Sequence, residues 1–599
     1  MRSLRSTRVA IGALLVAFAI IAAACSPNTE DVDVPETTTT ATAAPTTTAT
    51  TVPPDTTTST EPLPQHAYGG EAINGADIEP GTLNSFLPGR PGVISDLRQL
   101  WSAGVQEVSG VTLELIPELV TELPTVANGG VVVNEDGTMT VTYTILDEAV
   151  WDDGTPISGA DFQFTYETIM NPDYPISRTT YDEILSTDFG DKMFSYRLSA
   201  PTVQYELLFG VIIPKHDVDG TDFLTDWNDR RWASAGPFVF DEWATGESIT
   251  AVRNENYWKT DPLTEQQLPY LDQVTFTFIE APEELVAAFS ERQLDVMAPP
   301  RPPELEVIET LKVLESDGAR IEVVPGPSWE HVNFQFGPGR LERNENSCND
   351  VYEMRLAVAQ TIDREALTDG LFAGLVTPLE SYVTPYVPSL SQDAWSQYPV
   401  DHQAAAQNYA KAITASGREC SVIFSSTDDN DNRVKTAELL GQMFEASGIP
   451  FEAQLEDAGL FLGNTISNGT WDLGEWAWHG PTGMTGLIRI HDQWDPAAPP
   501  PEGSNWYRWG TRDSSVTDES TVRFAELRNA LNATVDSDEL AALINEAEQL
   551  LADNIVFIPL YGLPSVAAVW ADEIGNFVNN PIAGYLWNVE FWYRTNLEE

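Results

Sequence analysis

Val131-Val132-Val133-Asn134-Glu135-Asp136-Gly137-Thr138-Met139-Thr140-Val141-Thr142-Tyr143-Thr144-Ile145 alternates apolar and threonine side chains along its second half. With a period of two, Met139, Val141, Tyr143 and Ile145 share one face and Thr138, Thr140, Thr142 and Thr144 the other, which predicts a strand with one wet side. The turn Asn134-Glu135-Asp136-Gly137 joins it to Val131-Val132-Val133 as a hairpin. A second turn, Trp151-Asp152-Asp153-Gly154-Thr155-Pro156, leads to Ser158 and Asp161 at capping-box spacing. Phe162, Tyr166 and Ile169 then lie on one face of a predicted helix that ends before Pro172.

Toward the C-terminus the pattern changes to alternating helix and strand. Asp401 to Ser416 is an Ala-rich helix closed by Gly417, and Cys420 to Phe424 a short strand. Arg433 to Ala446 is a second helix closed by Gly448, and Phe451 to Leu455 is strand again. Such a βα repeat implies parallel strands joined by crossovers. One more amphipathic helix, carrying Leu540, Leu543, Ala547 and Leu550, precedes an apolar strand from Ile555 to Tyr561. No repeat of fixed period is present. The fold class is α/β with an α+β subdomain.

The chain has 599 residues, more than one hydrophobic core can organise, and its 42% hydrophobic content supplies at least two ordinary cores. Aromatic residues at 10% exclude disorder throughout. Lys and Arg number 31 against 91 Asp and Glu, a formal charge of -60, which excludes a broad basic surface for nucleic acid or anionic lipid. A small neutral or cationic partner fits better.

Arg2, Arg5 and Arg8 precede the apolar run Val9 to Ala23, of signal-peptide rather than membrane-spanning length. It ends in Ala22-Ala23-Ala24-Cys25, which looks like a bacterial lipobox, so residues 1–24 are expected to be a lipoprotein signal peptide and Cys25 the lipidated residue. Residues 25–65 read as a Thr/Pro-rich disordered tether, with 14 Thr between Thr37 and Thr60. Cys348 and Cys420 remain, and outside the cytoplasm such a pair is expected to be bridged, a metal site being the weaker reading.

Further stretches, in order, add up to a resemblance. They are Leu115-Ile116-Pro117-Glu118-Leu119-Val120; Val150 to Phe162; Ile213-Pro214-Lys215-His216; Ala235-Gly236-Pro237-Phe238 leading to Arg253-Asn254-Glu255-Asn256-Tyr257-Trp258; Tyr270-Leu271-Asp272; Leu294-Asp295-Val296; and Arg355 to Glu365. Together they resemble the extracytoplasmic solute-binding proteins of family 5, the peptide and nickel type of bacterial ABC importers. Taken singly, each motif reads as structural: Asp161 as a helix cap, Asp363 and Arg364 as a local ion pair, Gly154 and Gly236 as turn residues.

The resemblance implies a two-lobed, periplasmic-binding-protein-like clamp of the large, three-subdomain type. Lobe I would comprise residues 66–95, 226–329 and 558–599, with 96–225 as its inserted subdomain; lobe II would be 330–557. Hinges would lie near His331 to Phe336 and Phe557 to Tyr561. Ligand would sit in the interlobe cleft, and the partners would be an ABC permease and ATPase, reached by a monomer anchored to the outer face of the cell membrane through lipidated Cys25. No cofactor, metal or nucleic acid is implied.

Six of the 17 Trp lie between Trp471 and Trp509. Within them, Trp476, Trp478 and His479 match the strand-to-loop piece that lines the cleft in peptide binders, Trp506 and Tyr507 a second cleft loop, and Trp329 and Asn333 the first hinge. Trp faces offer rigid stacking and cation–π area. Dipeptide binders of the family carry an aspartate shortly after the equivalent tryptophan and glycine, to hold the peptide's ammonium; here Trp478-His479-Gly480 is followed by Pro481. Glu475 or Asp472 could substitute. A short peptide is the ligand expected first, with a sugar, opine or other polar metabolite as alternatives.

The chain lacks the G-x-S-x-G, H-E-x-x-H and G-x-x-x-x-G-K-[ST] signatures, and its six His show no pair at metal-ligand spacing. An enzyme is not expected. A secreted hydrolase, or a receptor docking to a sensor instead of a permease, are the competing readings. Asp428-Asp429-Asn430-Asp431-Asn432 lacks the Gly and Glu of a calcium loop and reads as a solvated strand-to-helix turn.

Overall fold

The computed structural model describes residues 65–597 except 88–92, 300–304, 384–386, 388, 480–482 and 502. The signal peptide, Cys25 and the Thr-rich segment lie outside the described residues.

The opening hairpin forms as its alternation dictates. Strands Val131–Val133 and Met139–Thr144 pair antiparallel, with Met139, Val141 and Tyr143 buried and Thr144 exposed. Gly137 adopts φ +83, which closes the turn at no steric cost. Strands Met193–Leu198 and Ile184–Phe189 complete a four-stranded antiparallel sheet. Helix Gly159–Ile169 covers it: the Ser158 side chain accepts from Ala160 N–H, and Asp161 reaches back to the Ser158 N–H at 3.0 Å, the capping box. Phe162 stacks on Phe194 at 4.3 Å between ring centroids, and Phe194 on Tyr143 at 4.9 Å. Each such buried aromatic contributes roughly 1.5–3 kcal/mol through area removed from water.

Ten strands make the main sheet, in the order Phe451–Glu456, Val422–Thr427, Leu473–His479, Ala319–Phe334, Phe557–Trp570, Val296–Met297, Glu71–Ala76, Gln273–Phe278, Ser248–Arg253 and Phe238–Ala244. The βα repeat produces the parallel pairing expected of it: Val422–Thr427 runs parallel to Phe451–Glu456 and to Leu473–His479. The helices between have the anticipated punctuation. Asp401 accepts from Ala404 N–H, Asn430 caps Asp431–Ser447, and Gly417 and Gly448 end their helices at φ +67 and +66. Asp428 and Asp429 are exposed in that strand-to-helix turn.

Two strands run far longer than the sequence pattern indicates. Ala319–Phe334 and Phe557–Trp570 pair antiparallel along most of their length, though the C-terminal strand was expected to stop at Tyr561. Gly562 and Pro564 are breaker types, and they sit where the strand is irregular: Pro564 lies opposite Pro325, directly beside the register shift between Pro325 and Trp329, a place where the missing proline N–H is tolerated. The register shifts twice, between Pro325 and Trp329 and between Glu330 and His331, after which His331, Val332 and Asn333 pair with Pro559, Ile558 and Phe557. One irregularity thus lies a few residues before the expected crossings and the other at their edge, where Leu560 is skipped.

Two local readings change. Asp363 and Arg364 do not pair with each other: Asp363 caps helix Arg364–Phe372 through Ala366 N–H, and Arg364 pairs with Glu380 at 2.6 Å. Gly154 is a turn residue at φ +83, but Gly236 is a close-approach residue, since a Cβ there would meet Leu100 O at 2.6 Å.

Candidate functional site

The residues singled out from the sequence fall into two groups. Trp329, Asn333, Trp476 and Tyr507 are buried within the core formed largely by residues 329–561. Trp329 lies 4.2 Å from His331 ring to ring, His331 5.6 Å from Trp476, and Trp476 5.9 Å from Tyr507. Asn333 donates its amide to Gly474 O at 3.2 Å, bracing neighbouring strands. Trp478 and Trp506 are half-buried. The Trp478 indole N–H donates to Tyr507 Oη at 3.1 Å, and His479 pairs in register with Ser328.

Glu475 and Asp472 do not replace the missing ammonium-binding aspartate. Asp472 is 1% exposed and its carboxylate accepts from Asn349 Nδ2 at 2.9 Å, Ile423 N–H at 3.0 Å and Asn344 Nδ2 at 2.6 Å. Glu475 is sealed beside Glu330 and Arg433; burial, then the Glu330 charge, push its carboxyl well above the usual range, so it is held neutral. Both are internal struts, because strand Leu473–His479 is central to the sheet.

A cavity of about 960 Å³ opens instead beside the irregular stretch of the long strands. Gly326, Pro327 and Ser328 line it together with Leu563 to Val566, and a Cβ on Gly326 would meet Leu563 O at 2.4 Å, so glycine permits the close crossing there. Helix Val93–Trp101 contributes Asp96, Arg98 and Gln99; the strands Gln106–Val108 and Leu115–Pro117, with the residue after, contribute Glu107 and Glu118. Glu206, Tyr257, Lys259 and the segment from Asn579 to Trp587 with Glu590 complete the wall.

Five carboxylates therefore face two cations. Lys259 Nζ lies 3.1 Å from Glu107 and 4.0 Å from both Glu118 and Glu590. Burial alone would depress the Lys259 ammonium, but Tyr257, Glu107, Glu118 and Glu590 together more than reverse that and hold it protonated. Burial raises Glu118 to about 8, with Glu107 adding repulsion, and raises Glu590 to about 7. Asp96 is likewise raised by burial to about 7, against the pull of Arg98. Arg98 keeps accessible surface although protein surrounds it, because its side chain borders the cavity. Glu206 accepts from Thr485 Oγ1 at 2.6 Å, tying the cavity wall to helix Gly483–Ile490.

Comparison with known proteins decides the family. The model of the bacterial extracellular solute-binding proteins, family 5, matches residues 114–486, more than half of the chain. The chain belongs to this family. It is 23% identical over 463 residues to the oligopeptide-binding protein OppA of Mycobacterium tuberculosis, covering 73% of this chain and 71% of that one. Against OppA of Bacillus subtilis the identity is 21% over 461 residues, covering 72% and 77%. Among solved structures, the periplasmic EDTA-binding protein EppA superposes with a TM-score of 0.70 at 18% identity, covering 90% of this chain and 99% of that one. The oligopeptide-binding protein AppA of Bacillus subtilis, in complex with a nonapeptide, gives 0.61 at 18% identity, covering 88% and 100%. The family 5 protein is thus a solute-binding protein of the two-lobed clamp class, as its motifs implied.

The charged wall was not singled out from the sequence, yet its signals were there. Glu118 sits inside the family stretch Leu115 to Val120, and Lys259 directly follows Tyr257-Trp258 in a chain with only six lysines.

Proposed function

We propose that this family 5 protein captures a short peptide in the 960 Å³ cavity and delivers it to an ABC permease for import. The cavity carries the reading: its volume suits a small ligand, and its floor is where the pairing of the two long strands lapses between Pro325 and Trp329. An extended peptide is recognised by main-chain pairing beside such strand edges, with side chains taken by flanking pockets. The printed names of the relatives, oligopeptide-binding proteins, support the same ligand class. Closure is inferred to bring residues 330–557 against 96–225, pivoting at residues 325–329 and 562–565, with Trp478, His479 and Trp506 at the cleft side. Residues 1–24 act as signal peptide and Cys25 as lipid anchor, and the monomer works at the outer face of the cell membrane.

Native mass spectrometry of the purified protein tests this directly. Peptides of two to ten residues should co-purify or bind one to one without turnover, and small-angle scattering should show compaction on binding. Binding of sugars or opines in their place, with no peptide bound, overturns it.

A further inference from the structure

We propose that Thr485 and Glu206 form a latch that holds the clamp shut: Thr485, from residues 330–557, is a positioning residue that grips the cavity wall at Glu206. This rests on the closure of residues 330–557 against 96–225 proposed above, and names the contact that sets how firmly the two stay together.

Three observations carry the inference. The first is that side chains cross the seam in both directions. Val203, from the 96–225 section, is 5% exposed and packs within the core formed largely by residues 329–561. Val535, from the 330–557 section, packs in return on the core that holds Tyr143, Phe162 and Phe194. The second is a polar bond beside Val203. The buried Thr485 hydroxyl donates to Glu206 Oε2 at 2.6 Å and lies 3.5 Å from Val203 O. Glu206 and Val203 belong to one short turn, Val203–Leu207. The third is where that turn stands. Glu206 and Leu207 line the same cavity as Gly326 to Ser328 and Leu563 to Val566, the proposed pivots. A grip on Glu206 therefore joins the cavity wall to the moving section.

Each half of the latch is fixed on its own side. Thr202 caps the turn by accepting from Gln204 N–H at 3.1 Å, and Tyr205 Oη donates to Pro124 O at 3.0 Å. Across the seam, Leu487, Ile488 and Ile490 anchor helix Gly483–Ile490 in its core, and His491 Nδ1 lies 2.6 Å from Leu487 O. Neither half has to be ordered when they meet, so little of the bond's free energy is lost to ordering.

The bond favours the closed form alone. Burial pushes the Glu206 carboxyl above the usual range and the Thr485 hydroxyl opposes that shift, so the hydroxyl lowers the cost of closing over the acid. In an open form water takes the place of the hydroxyl. Replacing that hydroxyl with a methyl should therefore raise the open-to-closed ratio about tenfold.

Spin labels on Val132→Cys and Val522→Cys, exposed positions on the two sides, test this by double electron–electron resonance. Cys25 is replaced by Ser and the Cys348–Cys420 bond is left intact, so that only these two positions take label. The ligand-free chain should show mostly the shorter distance. Thr485→Val should raise the ratio of long to short populations about tenfold, and Thr485→Ser, which keeps the hydroxyl, should restore it. Glu206→Leu should open the clamp as Thr485→Val does, and carries the test if Thr485→Val fails to fold. An unchanged ratio in Thr485→Val and Glu206→Leu overturns the latch, as does equal opening by Thr485→Ser and Thr485→Val. A lower melting temperature without a longer distance overturns it too, since that is what a merely structural role gives. Ala-Ala-Ala, titrated into the chain with Thr485 and Glu206 intact, checks the underlying reading separately. Its failure to bind counts against peptide capture, while the variants in the absence of peptide still decide the latch.

Discussion

The bond between Cys348 and Cys420 gives the sharpest stability prediction. The two cysteines are 72 residues apart, and both are essentially buried. The bond ties the loop before helix Tyr352–Thr361 to the residues just before strand Val422–Thr427. In the chain-entropy model, opening a loop of this length frees the unfolded state by about 4 kcal/mol. Unfolding entropy near 2.1 cal/mol/K per residue gives about 1.1 kcal/mol/K for a unit of about 530 residues, so the double variant Cys348→Ala/Cys420→Ala should melt about 4 °C lower. If the section from 330 to 557 melts separately, the denominator halves and the shift for that transition roughly doubles. Calorimetry of the oxidised protein, the reduced protein and the double variant distinguishes these outcomes. A loss below about 1 kcal/mol, with reduction confirmed by thiol titration, would refute the reasoning and show that the intervening helices already restrain the unfolded chain.

Three further outcomes follow from particular contacts. Glu548 is 1% exposed, accepts from the Ser381 hydroxyl and is raised by burial to about 8. The folded form therefore holds a proton that the unfolded form releases near 4.5, so stability falls as pH rises from about 4.5 to 8, at up to about 1.4 kcal/mol per unit. Glu548→Gln should flatten that slope in urea titrations at pH 5 and 8. Gly159→Ala should cost about 3 kcal/mol, because its Cβ would stand 1.9 Å from Gly190 O and neither backbone can yield; near-ultraviolet dichroism and a melting curve read it. Arg594 bridges both oxygens of Asp295, at 2.8 and 2.7 Å, and Glu573 at 3.0 Å. Arg594→Ala should cost about 3 kcal/mol in denaturant, and Arg594→Lys should recover less than half, since one ammonium cannot repeat the fork.

Much of the fold was legible because its signals are local. Ser158 and Asp161 formed the expected capping box, and Gly417 and Gly448 ended their helices where expected. The pairing of Pro325 with Pro564 was not legible, because each proline alone argues against a long strand and only the irregular register beside them, set by residues far apart in sequence, accommodates both. The site was harder to read for the same reason. A cluster of Trp between Trp471 and Trp509 draws attention, but Trp471, Trp494 and Trp509 are fully buried and pack the core. The wall around Lys259 is assembled from Glu107, Glu118 and Glu590, separated by nearly 500 positions at the extreme, and no spacing rule links them.

The long strands Ala319–Phe334 and Phe557–Trp570 also set a limit on how the molecule could be divided. Each carries residues of two cores: Ala319 and Ile321, with Val566, Ala568 and Trp570, in one, and Trp329, Val332 and Phe334, with Phe557 and Tyr561, in the other. Cutting the chain near residue 330 to obtain a free half would strip that half of its central partner strand and expose the unpaired backbone of an interior edge, an invitation to aggregate. A gene fragment encoding one half is thus expected to go into inclusion bodies, while a circularly permuted chain opened in a surface turn, such as Asn134 to Gly137, keeps both strands whole and stays in solution.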